Sequence, residues 1–257
     1  MLSFEKSGPP IAAIKNNKRT SDGRKIKMRK VYVTDDDSAL DESVLTFDSP
    51  VIPIPYKMEG QRSAIYVMGA SGSGKSTYIK NSIVASKPGD RRILLFTTAD
   101  DLDPVFEDAF ENFKKVNYMK DVDSLYTLTV EDLKDCLCIF DDFDCSTDVN
   151  VNAFMVRLVK SVLENGRKLN ISLYCVSHNP RDFIRTRTII LECDTFVCFP
   201  QTNRSSVLNF LKIYFDDNKD FLDMVKNTRD NGRFTFCTLH RNVPRYMITH
   251  KSIRLLA

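Results

Sequence analysis

Residues Gly69-Ala70-Ser71-Gly72-Ser73-Gly74-Lys75-Ser76 satisfy the spacing GxxxxGK[ST]. Glycines at those positions let a backbone curl so that successive N–H groups point inward, and a helix starting near Lys75 would turn its positive dipole end on the same spot. Such a loop cradles a polyphosphate. Lys75 would reach the β- and γ-phosphates, and the Ser76 hydroxyl would ligate Mg²⁺. The candidate nucleotide-binding residues are therefore Gly69, Ser71, Gly72, Ser73, Gly74, Lys75, Ser76 and Thr77.

A second cluster supplies acid. The apolar run Leu137-Cys138-Ile139-Phe140 ends in Asp141-Asp142, which reads as a strand delivering two carboxylates to the edge where open α/β sheets bind ligands. Asp141 would hold Mg²⁺, and Asp142 would face an attacking water as general base. The apolar run from Ile171 to Val176 ends in Ser177-His178-Asn179-Pro180. His178 is the candidate to bond the γ-phosphate or the water, with Asn179 able to serve instead. Arg167, Arg181, Arg185, Arg187, Arg229 and Arg233 are available to neutralise transition-state charge.

These groups need a sheet to position them. From Ser63 onward, short β-branched or aromatic runs alternate with longer amphipathic ones, the signature of βαβ units. The pattern predicts strands at 64–68, 92–97, 136–141, 171–176 and 195–199, and helices at 75–85, 104–114, 151–164 and 205–214. Alternation after Arg233, at Phe234 and Phe236 and then Tyr246 to Ile248, predicts a terminal hairpin. No internal repeat is visible.

Length and composition limit the rest. A chain of 257 residues with 42% hydrophobic content supports one substantial α/β core. We read residues 61–257 as that core and residues 1–60 as a basic, proline-rich extension, extended or partly disordered, with short strands near 31–33 and 51–54 able to dock on the core's edge. The segment from Lys15 to Lys30 carries eight Lys or Arg against the one acid Asp22; it reads as either a solvated tail or a contact for nucleic acid or capsid. Net charge of +3 is too small to demand an acidic partner. No apolar run approaches the roughly 18 residues that a membrane span requires. The seven cysteines lie mostly inside apolar runs, as small buried hydrophobes of a reducing compartment, and the CxC at Cys136 and Cys138 would alternate across a strand rather than grip zinc.

The motifs GASGSGKST, IFDD, ENGRKLNISLYCVSHN, RTRTIILECDTFVCFP and VPRYMITHKSI, in that order, resemble those of the genome-packaging ATPases of large double-stranded DNA viruses of the poxvirus and nucleocytoplasmic type, within the FtsK/HerA superfamily. In that family Glu is common where Asp142 stands, and Gln where His178 stands. Arg167 matches a family arginine preceding the fourth strand, and Arg187 a position that serves a neighbouring subunit. The resemblance implies a P-loop NTPase with a RecA-like three-layer αβα fold, a mostly parallel sheet of order 5-1-4-3-2 and a C-terminal β-hairpin. It further implies ATP and Mg²⁺ at the interfaces of a homo-oligomeric ring, a hexamer, threading double-stranded DNA into a capsid. Capsid, portal or membrane proteins at the packaging vertex would be partners, and the setting would be viral assembly sites in the host cytoplasm or the virion itself. Two other readings stay open. One is a P-loop kinase acting on a small molecule, against which the Asp141-Asp142 pair argues, and the other is a slow, ATP-gated DNA or capsid adaptor. A GTPase is disfavoured further, because Asn218-Lys219-Asp220-Phe221 misses NKxD by one position and no DxxG follows the third strand.

Overall fold

The computed structural model describes residues 1–6, 8–15, 28–33, 44–57, 62–107, 109–143, 145–178, 186–200, 209–210, 212, 225 and 235–256. The N-terminal part supplies short strands: β1 (Leu2–Ser3), β2 (Pro10–Ile14), β3 (Arg29–Val33), β4 (Val44–Thr46) and β5 (Val51–Pro53). Then the motif-bearing region begins with β6 (Ala64–Met68), α1 (Lys75–Ser86), β7 (Ile93–Thr97), β8 (Phe113–Asn117), α2 (Val122–Tyr126) and β9 (Leu137–Asp141). It continues through α3 (Val149–Asn165), β10 (Ser172–Ser177), α4 (Arg187–Glu192) and β11 (Thr195–Cys198). The antiparallel strands β12 (Cys237–His240), β13 (Tyr246–Thr249) and β14 (Ser252–Leu255) close the chain.

Among the described residues the main sheet has the order β4-β14-β13-β12-β11-β6-β10-β9-β7-β8. Neighbours from β11 to β8 are parallel, and those from β11 to β4 antiparallel. Counting only the five strands read from the sequence, β11-β6-β10-β9-β7 is the order 5-1-4-3-2. Parallel strands covered on both faces read as unbroken apolar runs, and β6, β7 and β10 are buried along their whole length.

Alternation along each strand divides the core into two layers. Tyr66, Phe96, Phe140, Cys175 and Phe196 face one way and pack with Val151, Met155, Leu158 and Val162 of α3. On the other face Ile65, Val67, Leu95, Ile139 and Val176 pack with Tyr78, Ile79 and Ile83 of α1. The result is the expected αβα arrangement, a mixed α/β fold with a large, mostly parallel sheet.

Three differences stand out. Residues 104–107 form turns rather than a helix, and residues 113–117 form β8, parallel to β7. Phe106, Phe110 and Phe113 recur at helical spacing, but the period arises from an aromatic cluster, with Phe106 and Phe113 stacked at 5.9 Å. Secondly, the terminal hairpin is wider than expected, because β14 pairs with β13 and β4 pairs with β14. Thirdly, the described parts of residues 1–57 hold more strands than the two expected near 31–33 and 51–54: β1, β3, β2 and β5 form an antiparallel sheet of their own. Leu2, Ile11, Val31 and Val51 share a buried cluster with Tyr246, Ile248 and Ile253. The helix expected over 205–214 falls largely outside the described residues, as does most of the basic segment from Lys15 to Lys30; Asn209, Phe210 and Lys212 are helical.

Candidate active site

In a parallel sheet the strand ends that follow one another across a switch in connection direction leave a crevice at their C-terminal edge. Here β6 and β10 are neighbours, and Gly69 N–H donates to Ser177 O across their ends at 3.2 Å. The loop after β6 therefore lies beside the residue after β10. Gly74 stands at the N-terminus of α1 with φ of 102°, in the left-handed region that glycine enters at no steric cost. At Gly69 a Cβ would come within 2.7 Å of Ser73 Oγ and 3.1 Å of Phe199 Cδ2. A side chain there would force the loop off the sheet.

A cleft of about 390 Å³ opens at this edge, lined by Ser71, Gly72, Gly74, Lys75, Ser76, Thr77, Asp141, Asp142 and His178, together with Asp103 and Val105. Of the residues singled out by sequence, the loop, the acid pair and the histidine are thus brought together. Gly69 and Ser73 are buried beneath the loop. Arg167 and Arg187 are not in the cleft. Arg167 is exposed and precedes the start of β10, whose six residues span roughly 17 Å, so it lies toward the opposite edge of the sheet. Arg187 is exposed at the first turn of α4. Asn179, Arg181, Arg185, Arg229 and Arg233 lie outside the described residues.

Inside the cleft, polar groups form a chain. Lys75 Nζ donates to Gly69 O at 2.8 Å and Ala70 O at 3.2 Å, and stands 3.3 Å from His178 Nδ1. His178 Nε2 lies 3.0 Å from Asp142 Oδ2. An ammonium only donates, so Nδ1 must be the acceptor in the neutral imidazole, and Nε2–H then donates to Asp142. His178 joins the loop lysine to the second carboxylate. Asp142 itself sits at φ of 49°, an uncommon conformation that Asp tolerates better than most residues. Its carbonyl accepts from Tyr118 OH at 2.6 Å, while its buried Oδ1 has no partner among the described residues.

Burial and the neighbouring charge of Asp142 push Asp141 up to about 6, against the opposing pull of Lys75 and His178. Burial also lowers Lys75, which Asp142 and Asp141 partly offset. Two adjacent carboxylates sharing a half-buried crevice are electrostatically costly and call for a cation. Ser76 and Asp141 offer hydroxyl and carboxylate oxygens, the hard donors that suit Mg²⁺. The residues fit a metal–nucleotide pair.

Asp103 escaped the sequence reading. Its Oδ1 accepts from Val105 N–H at 2.9 Å, fixing the turn after β7, and its charge adds to the upward push on Asp141. The signal was the acidic run Asp100-Asp101-Leu102-Asp103 at the end of a predicted strand, which has meaning only once β7 is known to lie beside β9.

No protein-family model matches the chain. An uncharacterized protein, V3, of Sputnik virophage is 27% identical over 263 residues, spanning all of both chains. Among solved structures, the chain resembles the genome-packaging NTPase B204 of Sulfolobus turreted icosahedral virus 2 in complex with AMPPCP, with TM-score 0.50 and 12% identity over 76% of this chain and 99% of that one. It also resembles the pCW3 conjugation coupling protein TcpA with ATPγS, with TM-score 0.54 and 12% identity over 93% of this chain and 76% of that one. At such identities the likeness establishes the shared P-loop NTPase fold.

Proposed function

We propose that this protein is an ATPase that drives double-stranded DNA into a viral capsid, acting as a ring of identical subunits. The observation that carries the reading is the meeting of the Gly69–Ser76 loop, Asp141, Asp142 and His178 in one cleft at the C-terminal edge of the sheet. The ordered motifs of the packaging family, the fold shared with a packaging NTPase and the similarity to a virophage protein support a viral packaging role.

In this reading the loop amides of Ser71 to Ser76 receive the phosphates, and Lys75 exchanges the Gly69 and Ala70 carbonyls for phosphate oxygens. Ser76 and Asp141 would hold Mg²⁺, which neutralises charge on the phosphates. Asp142 accepts a proton from the attacking water, its carboxylate oriented by the bond to His178. His178 holds the carboxylate in place while Lys75 remains at the loop. Once Lys75 turns to the phosphates its bond to Nδ1 is broken, and the imidazole is released to report the change to the segment that follows β10. Arg167 and Arg187, remote from this cleft, serve the cleft of an adjacent subunit. Grip on DNA is electrostatic and independent of sequence, since a translocating motor cannot hold one site tightly. Packaging takes place at assembly sites in the host cytoplasm, with capsid or portal proteins receiving the ring.

The test is phosphate release with and without linear double-stranded DNA, beside a Lys75→Ala control. The expected result is a Lys75-dependent rate raised several-fold by DNA and a stimulation that fades with salt. Phosphorylation of a small acceptor, with no response to DNA, would replace this reading with a kinase.

A further inference from the structure

A second cavity, of about 300 Å³, lies at the other end of the parallel strands, between them and the N-terminal strands. Its floor is formed by the first residues of β6, β9 and β10, at Ile65, Leu137 and Leu173. Pro10 and Lys30 come from β2 and β3, Ile54, Pro55 and Lys57 follow β5, and Ser86, Lys87 and Pro88 mark the end of α1. No residue lining it carries a carboxylate, while Lys30, Lys57, Lys87 and Arg91 all face it. Among the described residues none of these four forms an ion pair with an acid. The nearest acid to act on them is Asp135, which is bonded to Asn170 Nδ2 at 2.8 Å and whose carbonyl accepts from Arg91 Nε.

The hydroxyls in the lining are already committed. Ser63 Oγ donates to Tyr56 O, Ser86 Oγ donates to Ile83 O, and Ser172 Oγ accepts from Arg91. Arg91 already donates to Asp135 O, Ser172 Oγ, Cys136 O and Asn170 O, and Lys57 to Asn170 Oδ1. What remains on offer is the last guanidinium N–H, the other N–H groups of Lys57 and the ammonium groups of Lys30 and Lys87, over an apolar floor. A group made only of acceptors, with more than one negative charge, satisfies such a wall; an amide-bearing peptide does not. Burial and then the charge of Arg91 lower Lys57, so an anion here would relieve repulsion already present.

We propose that this cavity binds a small organic phosphate, its phosphoryl group among Lys30, Lys57, Lys87 and Arg91. Its carbon body rests on Ile54, Leu137 and Leu173. The volume, at the low end for ligand sites, suits a phosphosugar or nucleoside monophosphate rather than a triphosphate. Because the wall joins the N-terminal strands to the ATPase core, the ligand would fasten one to the other and stabilise the whole chain by mass action.

The test uses the full chain carrying Lys75→Ala, so that the ATP cleft contributes little. Ribose 5-phosphate and thymidine 5′-monophosphate are the probes, with thymidine and matched sulfate as controls, read by equilibrium dialysis and thermal midpoint. Both phosphate esters at millimolar concentration should bind and raise the midpoint by several degrees, thymidine should not, and Lys30→Glu with Lys87→Glu should weaken binding at least tenfold. In the chain with Lys75 intact, that double reversal should leave basal ATP hydrolysis unchanged, which also shows that it folds; should it fail to fold, Lys87→Gln alone must weaken binding. The proposal is overturned by absence of ester binding, by binding that ignores the charge changes, or by sulfate matching the esters. Binding confined to a 5′-phosphorylated DNA duplex would overturn it as well.

Discussion

Asp142 is held through Oδ2 by His178, while its buried Oδ1 has no partner among the described residues, and its orientation and its role as base can be tested apart. Asp142→Asn keeps a side chain that can pair with His178 but removes the base, so hydrolysis should fall about 10² to 10⁴-fold while ATP affinity is retained, measured by single-turnover phosphate release beside nucleotide titration. His178→Ala should also lower turnover, without removing the base. Asp141 makes a different prediction, since its carboxyl is raised from an ordinary 3.8 to about 6 chiefly by burial. A raised acid gives stability that is present below its unfolded value and lost as pH rises through its folded one. In metal-free protein, Asp141→Asn should therefore gain stability over the natural chain as pH rises from about 4 to 6, reaching on the order of 3 kcal/mol above that, read by denaturant unfolding across pH. Metal affinity of the natural chain should decline in the opposite direction, as protons claim Asp141 below about pH 6.

At the scale of elements, α3 is the long helix that covers one face of the sheet, and its start is fixed by a side chain. Asp148 accepts from Asn150 N–H at 2.8 Å and Val151 N–H at 3.2 Å, satisfying two donors that a helix otherwise leaves open. Asp148→Ala should cost about 1 kcal/mol, visible in chemical unfolding, with the Lys75-dependent rate little changed because Asp148 lies outside the cleft. Two arginines act at the other helix ends. Arg62 donates to Val162 O and Leu163 O at the end of α3, and Arg241 donates to Ile190 O and Leu191 O at the end of α4. Arg62 ties α3 to the start of β6 and Arg241 ties α4 to the end of β12, an arrangement fit to keep the sheet's geometry constant while the cleft works.

Over the whole molecule, the N-terminal strands are part of the packing. Leu2, Ile11, Val31, Leu45 and Val51 close over Tyr246, Ile248 and Ile253. Ser82 of α1 donates to Pro53 O at 2.9 Å, and β4 pairs along the outer edge of β14. Removing residues 1–57 would strip that cover and leave β14 as an open edge, which invites pairing between copies. The shortened chain should melt at lower temperature and associate, as followed by thermal unfolding and light scattering. An unchanged midpoint and a monodisperse product would mean that the N-terminal strands contribute nothing to the stability of the ATPase core.

The sequence by itself determined the parts whose chemistry is local. A phosphate loop depends on glycine spacing over a few residues, Asp141-Asp142 ends an apolar run that must be a strand, and both faces of β6 being apolar places it inside the sheet. Motif resemblance then supplied the strand order. Tertiary structure alone decided which distant residues meet. Asp103 enters the cleft because β7 lies against β9, and His178 bridges Lys75 and Asp142 because β10 runs between β6 and β9. The aromatic spacing at Phe106, Phe110 and Phe113 mimicked a helix, because intervals of four and three match one helix face, while here the three rings meet across a turn and the first residue of β8. Two N-terminal strands, β3 and β5, were legible as short apolar runs, whereas β1, β2 and β4 were not: strands as short as these hold their shape through partners far away in the chain, and no local period records such a partner.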